Sequence, residues 1–308
     1  MKIVRIIVRN YTRFVRCAWP LLISLLTSMT LSAADLTIDH VTAAGIDLNT
    51  LRASLAAVGI PSEYGGPHSN HATEMALTSF PDGSYLELIA IQPQADAAAV
   101  AAHYWSKAMQ NSAGPCAWAV RPKDLDFEAK RLQARSLAVQ PARSGRARPD
   151  GVRLEWEAAP VGTGPNGVFF PFLIRDFTPR EQRAYPGGKP TTDDFSGVAR
   201  VVILVRNLKG AIRQYERAYD LEAPLRQDDQ EFGAHLAYFR GTPVVLATPL
   251  TKDSRLALRL DQIGEGPVAF VLKAANGKSH NAVTKTGWFG STISWFDTQK
   301  LGWWLGFE

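Results

Sequence analysis

The sequence predicts an α+β fold built from four repeated βαβββ units, each a strand, a helix and about three strands, grouped as two pairs. Two observations carry this. A strand-to-helix junction ending in an acid or amide followed by leucine recurs at Asp47-Leu48, Asp124-Leu125 and Asn207-Leu208, so that the leucines lie 77 and 83 residues apart. Self-similarity at a near-constant period marks a repeated supersecondary unit. Each junction is also followed by short β-leaning runs separated by turn residues.

The elements follow in order. Leu36 to Thr42 is a short strand, and Asp47 caps a helix whose Leu48, Leu51 and Leu55 share one face. Val58-Gly59-Ile60 ends that helix with a glycine. Met75 to Phe80 and Tyr85 to Ile91 form a hairpin around Pro81-Asp82-Gly83-Ser84. In the second unit Cys116 to Val120 is a strand, Leu125, Ala129 and Leu132 mark a helix, and Val152 to Trp156 and Val168 to Ile174 are strands. In the third, Val198 to Val205 precedes a helix with Leu208, Ile212, Tyr215 and Tyr219, then strands at Phe232 to Phe239 and Pro243 to Ala247. Residues 268 to 273 open a fourth unit with a poor helix and an end rich in tryptophan (Trp288, Trp295, Trp303, Trp304), expected to pack onto the second pair.

The charge balance excludes a nucleic-acid partner. Lys and Arg total 34 against 29 Asp and Glu, but Lys2, Arg5, Arg9, Arg13 and Arg16 fall in the first 34 residues, which hold no acid, and the remainder is neutral. That leader reads as a signal peptide over residues 1–34, with an apolar stretch from Ala18 to Leu31 and small residues before Asp35. Fourteen residues at about 1.5 Å each cover roughly 21 Å, short of the roughly 30 Å hydrocarbon core, so no stable membrane span is expected after cleavage. The expected location is exported, periplasmic or secreted. Cleavage leaves Cys116 alone, so no intramolecular disulfide forms. Arg175 to Gly197, dense in proline, glycine and acid, is the expected boundary. This gives a first pair at 35–177, a linker at 178–197 and a second, degenerate pair at 198–308. Arg143 to Arg148 is read as a solvated basic turn rather than an anion site.

Asp39-His40-Val41, Asp47-Leu48, Gly65-Gly66-Pro67-His68, Ala72-Thr73 and Tyr85-Leu86-Glu87-Leu88 together resemble, in order and spacing, the glyoxalase-like branch of the vicinal oxygen chelate superfamily. The resemblance covers residues 36 to 177 and is strongest over 36 to 91. It implies paired βαβββ units forming curled mixed sheets around a cleft. It also implies a divalent metal (Zn, Mn, Fe, Ni or Co) held by His and Glu from the first and last strands, acting as a Lewis acid on a small substrate with vicinal oxygens.

His40 and Glu87 each sit in an apolar strand, where an unpaired carboxylate is costly, and they are the first two candidate ligands. The matching positions in later units are Ala117 and Arg200, and Phe170 to Ile174 offers no carboxylate, so His68 and His71 are the candidates to complete the shell. Glu87 and Glu74 are the candidate catalytic acids, and Thr73, Trp118 and Phe172 the candidate substrate contacts. The glycine-threonine-any-asparagine pattern of the family reads Ala72-Thr73-Glu74-Met75 here, a departure that leaves the role of that loop open. Two functions follow: a metal-dependent lyase, isomerase or dioxygenase, or a non-catalytic protein that sequesters a small molecule. Either works as a monomer or a homodimer. No Gly-x-Ser-x-Gly elbow, phosphate loop or Cys-x-x-Cys is present, and the glycine-rich 162–167 stretch precedes a strand instead of opening a helix.

Overall fold

A computed structural model describes residues 34–276 and 280–308. The expected leader, its cleavage site at residue 34 apart, lies outside the described residues, as does Cys17. Residues Ala33–Glu308 form one compact unit.

The first unit runs β1 (Ile38–Gly45), α1 (Leu48–Ala56), β2 (Glu63–Pro67), β3 (Thr73–Ser79) and β4 (Tyr85–Ile91). Two short helices, α2 (Ala97–Ala102) and α3 (Ser106–Gln110), lead to the second: β5 (Gly114–Val120), α4 (Leu125–Ala134), β6 (Ala142–Ala147), β7 (Arg153–Ala159) and β8 (Phe172–Asp176). After α5 (Arg180–Ala184) the third unit is β9 (Phe195–Leu204), α6 (Leu208–Tyr219), β10 (Leu225–Asp229), β11 (Ala234–Tyr238) and β12 (Val244–Pro249). Then come α7 (Arg255–Gln262), β13 (Gly266–Ala274), β14 (Thr284–Trp288), β15 (Ser291–Trp295), α8 (Thr298–Leu301) and β16 (Trp304–Phe307).

Each pair makes one eight-stranded mixed sheet, ordered β2-β3-β4-β1-β5-β8-β7-β6 and β10-β11-β12-β9-β13-β16-β15-β14. In both, the first strand of a unit pairs parallel with its last, while the two first strands meet antiparallel at the centre. The two sheets therefore have the same pseudo-twofold layout. The helix caps read from sequence are in place: Asp47, Asp124 and Asn207 accept backbone N–H bonds from Thr50, Phe127 and Gly210.

Alternate residues divide the first sheet into two faces. Val41, Ala43, Leu86, Leu88, Trp118, Val120 and Leu173 face a core shared with α1, α4 and α6 and with Val201, Ile203 and Phe270 of the second sheet. His40, Tyr85, Glu87, Ile89, Phe172 and Ile174 face the concave side. The sheet curls until its two edges meet: Arg146 on β6 donates from Nη1 to the Gly65 carbonyl on β2 at 2.7 Å. Gly114, at φ +68°, holds the halves close, since a Cβ there would lie 2.6 Å from Trp303.

Several expectations need correction. The strand expected from Val168 begins at Phe172, because Pro171 has no N–H to give a ladder and the residues before it form turns. Among the described residues the fourth unit has no helix between β13 and β14; the intervening stretch lacks apolar periodicity. The basic 143–148 stretch is not a solvated turn but largely β6, with Arg146 buried. The segment 178–197 carries α5, which packs its arginines into the first half. The tryptophans do pack onto the second pair as expected: Trp288 and Trp295 are fully buried with Phe232 inside the second sheet, filling the place that is a cavity in the first. No helix among the described residues is long and apolar enough to cross a membrane.

Candidate active site

The concave face of the first sheet encloses a cavity of about 220 Å³. Its walls carry His40, Tyr85 and Glu87 from β1 and β4, His68 from the loop after β2, His103 from the turn after α2, Arg146 from β6, Phe172 from β8 and Arg183 from α5.

A register shift between Ile38 and His40 marks a bulge in β1 against β5. Bulges re-aim side chains, and here the consecutive Asp39 and His40 meet, with His40 Nδ1 2.6 Å from Asp39 Oδ1. A carboxylate only accepts, so Nδ1 carries the hydrogen and Nε2 is the nitrogen left for the cavity. The ring stacks on Tyr85 with centroids 4.8 Å apart and planes 3° from parallel, and Phe172 meets it edge-on at 5.3 Å.

Asp39 is fully buried. Burial alone would raise its pKa, but Arg183, the His40 hydrogen bond and Arg180 more than offset this and hold it well below the usual carboxylate range. Arg183 Nη2 lies 2.9 Å from Asp39 Oδ2, and its other bonds reach Asp176 and the Tyr85 hydroxyl. Burial pushes the Tyr85 phenol up, so it stays protonated. The Asp39 charge is therefore fixed, and with it the orientation of His40.

Glu87 is pinned differently. Thr42, its neighbour across β1 and β4, donates to Oε2 at 3.0 Å, and Oε1 faces His68 Nε2 at 3.9 Å. No arginine or lysine pairs with it among the described residues. His68 Nδ1 bonds to the Thr73 hydroxyl at 2.8 Å, and burial lowers the His68 pKa despite the opposing pull of Glu87. Burial lowers His103 to about 4. Both imidazoles are neutral at neutral pH. Arg146 is buried, and among the described residues its hydrogen-bond partner is the Gly65 carbonyl and no carboxylate pairs with it; burial lowers its pKa, opposed by Tyr85 and Glu87.

The structure brings His40, His68, Glu87 and Phe172 to one cavity, with Thr73 behind His68. It does not bring three other candidates there. His71 sits at φ 56° in a turn closed by the Asn70 side chain and is exposed. Glu74 points outward and accepts from the Tyr64 hydroxyl at 3.0 Å. Trp118 is fully buried on the opposite face, in the shared core. Arg200, the counterpart of His40 in the third unit, pairs with Glu308.

The donor set does not fit the four-ligand metal expected from His40, His68, His71 and Glu87. His71 is outside the cavity, and two donors on one ion must lie close to the same point. Among the described residues no group of three His, Cys, Asp or Glu is placed to hold an ion. Asp39, His103, Arg146, Arg180 and Arg183 are the residues that sequence reasoning missed. Asp39 stood in the motif beside His40 and was the one legible signal.

The model of a glyoxalase-like domain matches residues 38–219, well over half of the chain. The chain belongs to the glyoxalase-like domain family. The match runs past the expected limit of 177 through β9 and α6, and it places this glyoxalase-like chain in the vicinal oxygen chelate superfamily. No curated protein matches the sequence. Among solved structures, a hypothetical protein from Staphylococcus aureus is similar at 16% identity and TM-score 0.60, covering 88% of this chain and 98% of its own. A triple mutant of 4-hydroxymandelate synthase from Streptomyces coelicolor is similar at 12% identity and TM-score 0.50, covering 79% of this chain and 72% of its own. Methylmalonyl-CoA epimerase from Mycobacterium tuberculosis matches at 20% identity and TM-score 0.33, over 38% of this chain and 89% of its own. At these identities the likeness of the first two shows the fold alone.

Proposed function

We propose that this glyoxalase-like protein is an acid–base enzyme of the lyase or isomerase type, acting on a small anionic substrate with adjacent oxygens. The observation that carries the reading is Arg146, a buried cation paired with no carboxylate among the described residues, lining the same cavity as Glu87 and His40. A buried charge without a counter-charge is costly, and an anionic substrate supplies one. The guanidinium then provides positive charge where the superfamily more often uses a metal.

In this reading Glu87 removes a proton from the carbon beside the carbonyl or carboxylate. The negative charge that develops lies against Arg146. His40, oriented by Asp39 with a bare Nε2, is the second base: it takes the proton of the adjacent hydroxyl and passes it to the neighbouring oxygen, while protonated Glu87 returns its proton to carbon. Neutral His68, beside Glu87, relays the proton to solvent. The leader over residues 1–34 would place this activity outside the cytoplasm.

The test is proton exchange in D₂O, followed by NMR, with a panel of small 2-hydroxy and 2-oxo carboxylates. The expected result is deuterium incorporation at the carbon beside the acid or carbonyl, lost by about 100-fold or more in Glu87→Gln and weakened through KM in Arg146→Gln. Saturable binding with no exchange would make the protein a sequestering one. Exchange that survives Glu87→Gln would move the chemistry elsewhere.

A further inference from the structure

A second cavity, about 500 Å³ and more than twice the size of the first, lies where the two halves meet. Its walls come from α3, β5 and the 162–170 loop of the first half, and from α6, α7 and the start of β13 of the second. The lining is largely apolar, with Phe169, Phe170, Leu137 and Val161 among its residues. Cys116 also lies in the wall, buried, and burial pushes its thiol up, so it is a packing group and not a nucleophile.

One group in this wall lacks its complement. Arg259, on α7, spends Nη2 on the carbonyls of Pro115 in the first half, at 2.6 Å, and Pro267 in the second, at 2.9 Å. Among the described residues its Nε and Nη1 have no hydrogen-bond acceptor and no carboxylate pairs with it. Glu265, the carboxylate of the same wall, accepts instead from the Arg206 backbone N–H. Burial lowers the Arg259 pKa to about 10. A cation with free N–H groups at one place in an apolar chamber selects a ligand with one anionic end and one apolar body. Lys107 and Gln214, both exposed on the rim, add no negative charge.

We propose that this junction cavity is a second ligand site that takes an amphipathic monocarboxylate, its carboxylate on Arg259 and its apolar chain along Phe169 and Phe170. The site is separate from the candidate active site, although Tyr104 and Trp105 line both. A ligand here therefore touches the back of the catalytic wall.

Calorimetric titration of the full chain with octanoate, 1-octanol and octylammonium tests the proposal. Octanoate is expected to bind saturably at one per chain, about 10-fold or more tighter than octanol, with no binding of octylammonium. Arg259→Gln removes that advantage. Because Arg259 also bridges the two halves, the rim variant Lys107→Glu/Gln214→Glu is measured in parallel; both positions are exposed, and the added negative charge weakens octanoate by about 3-fold or more. Arg146→Gln leaves octanoate binding unchanged, which separates this site from the first. Absence of saturable binding, equal affinity for octanol, or loss of binding in Arg146→Gln with retention in the rim variant would overturn the assignment.

Discussion

Replacing Asp39 by asparagine removes one charge from the most buried ionic cluster of the first half and leaves two arginines facing it. Arg183 is 5% exposed and Asp39 is 0% exposed, so neither is well screened by water. Removing one partner of such a pair costs about 3–5 kcal/mol, because the remaining charge is stranded. Asp176 still holds Arg183 through two bonds, which places the expected loss near the lower end, about 3 kcal/mol. For a chain of this size that corresponds to a fall of about 6–12 °C in Tm. Equilibrium denaturation measures the loss, and the double variant Asp39→Asn/Arg183→Met should recover part of it, since an apolar side chain replaces the stranded cation. The same single change frees the His40 ring, so its imidazole NMR signals at fixed pH should move. A loss under about 1 kcal/mol with unmoved His40 signals would refute the reasoning that this cluster fixes the imidazole.

Glu87→Gln and Glu74→Gln form a contrasting pair: exchange activity should vanish in the first and stay within about 2-fold in the second, because Glu74 points away from the cavity. Stability should fall as pH drops from about 6.5 toward 4, since His68 and His103 are lowered in the folded state and the unfolded chain binds more protons in that window. Denaturation at pH 7 and pH 5 reads this slope, and His103→Gln should flatten it. Trp288→Phe removes the indole N–H bonded to buried Asp229 and should cost about 1–3 kcal/mol, read from denaturant midpoints. Metal analysis of purified protein should give well below one divalent ion per chain, and near-stoichiometric metal lost in His40→Ala would restore the metalloenzyme reading.

Much of the scaffold was legible because it depends on local chemistry. The caps at Asp47, Asp124 and Asn207 and the hairpin at Pro81 to Ser84 are decided within a few residues. The face of a strand is not. Trp118 was expected at the cleft, but it pairs with core-facing Val41, so it turns to the core and leaves Ala117 and Ala119, opposite Thr42 and His40, toward the concave side. Arg183 reaches Asp39 across 144 residues, and Arg146 reaches Gly65 across 81. Neither approach exists until the sheet has curled and α5 has docked, so a basic strand reads as a solvated turn. His40 and Glu87 were legible as charged residues in apolar strands. Their chemistry was not, because it depends on the arginines around them.

The account rests on one cavity in which Arg146 receives an anion beside Glu87, His40 and His68. Titrating the histidine-labelled protein with oxalate and lactate and following the imidazole signals by NMR tests this most directly. The expected result is a saturable shift of His40 and His68 that Arg146→Gln weakens by about 10-fold or more. Imidazole signals that stay still at saturating anion, or that move equally in Arg146→Gln, would contradict it.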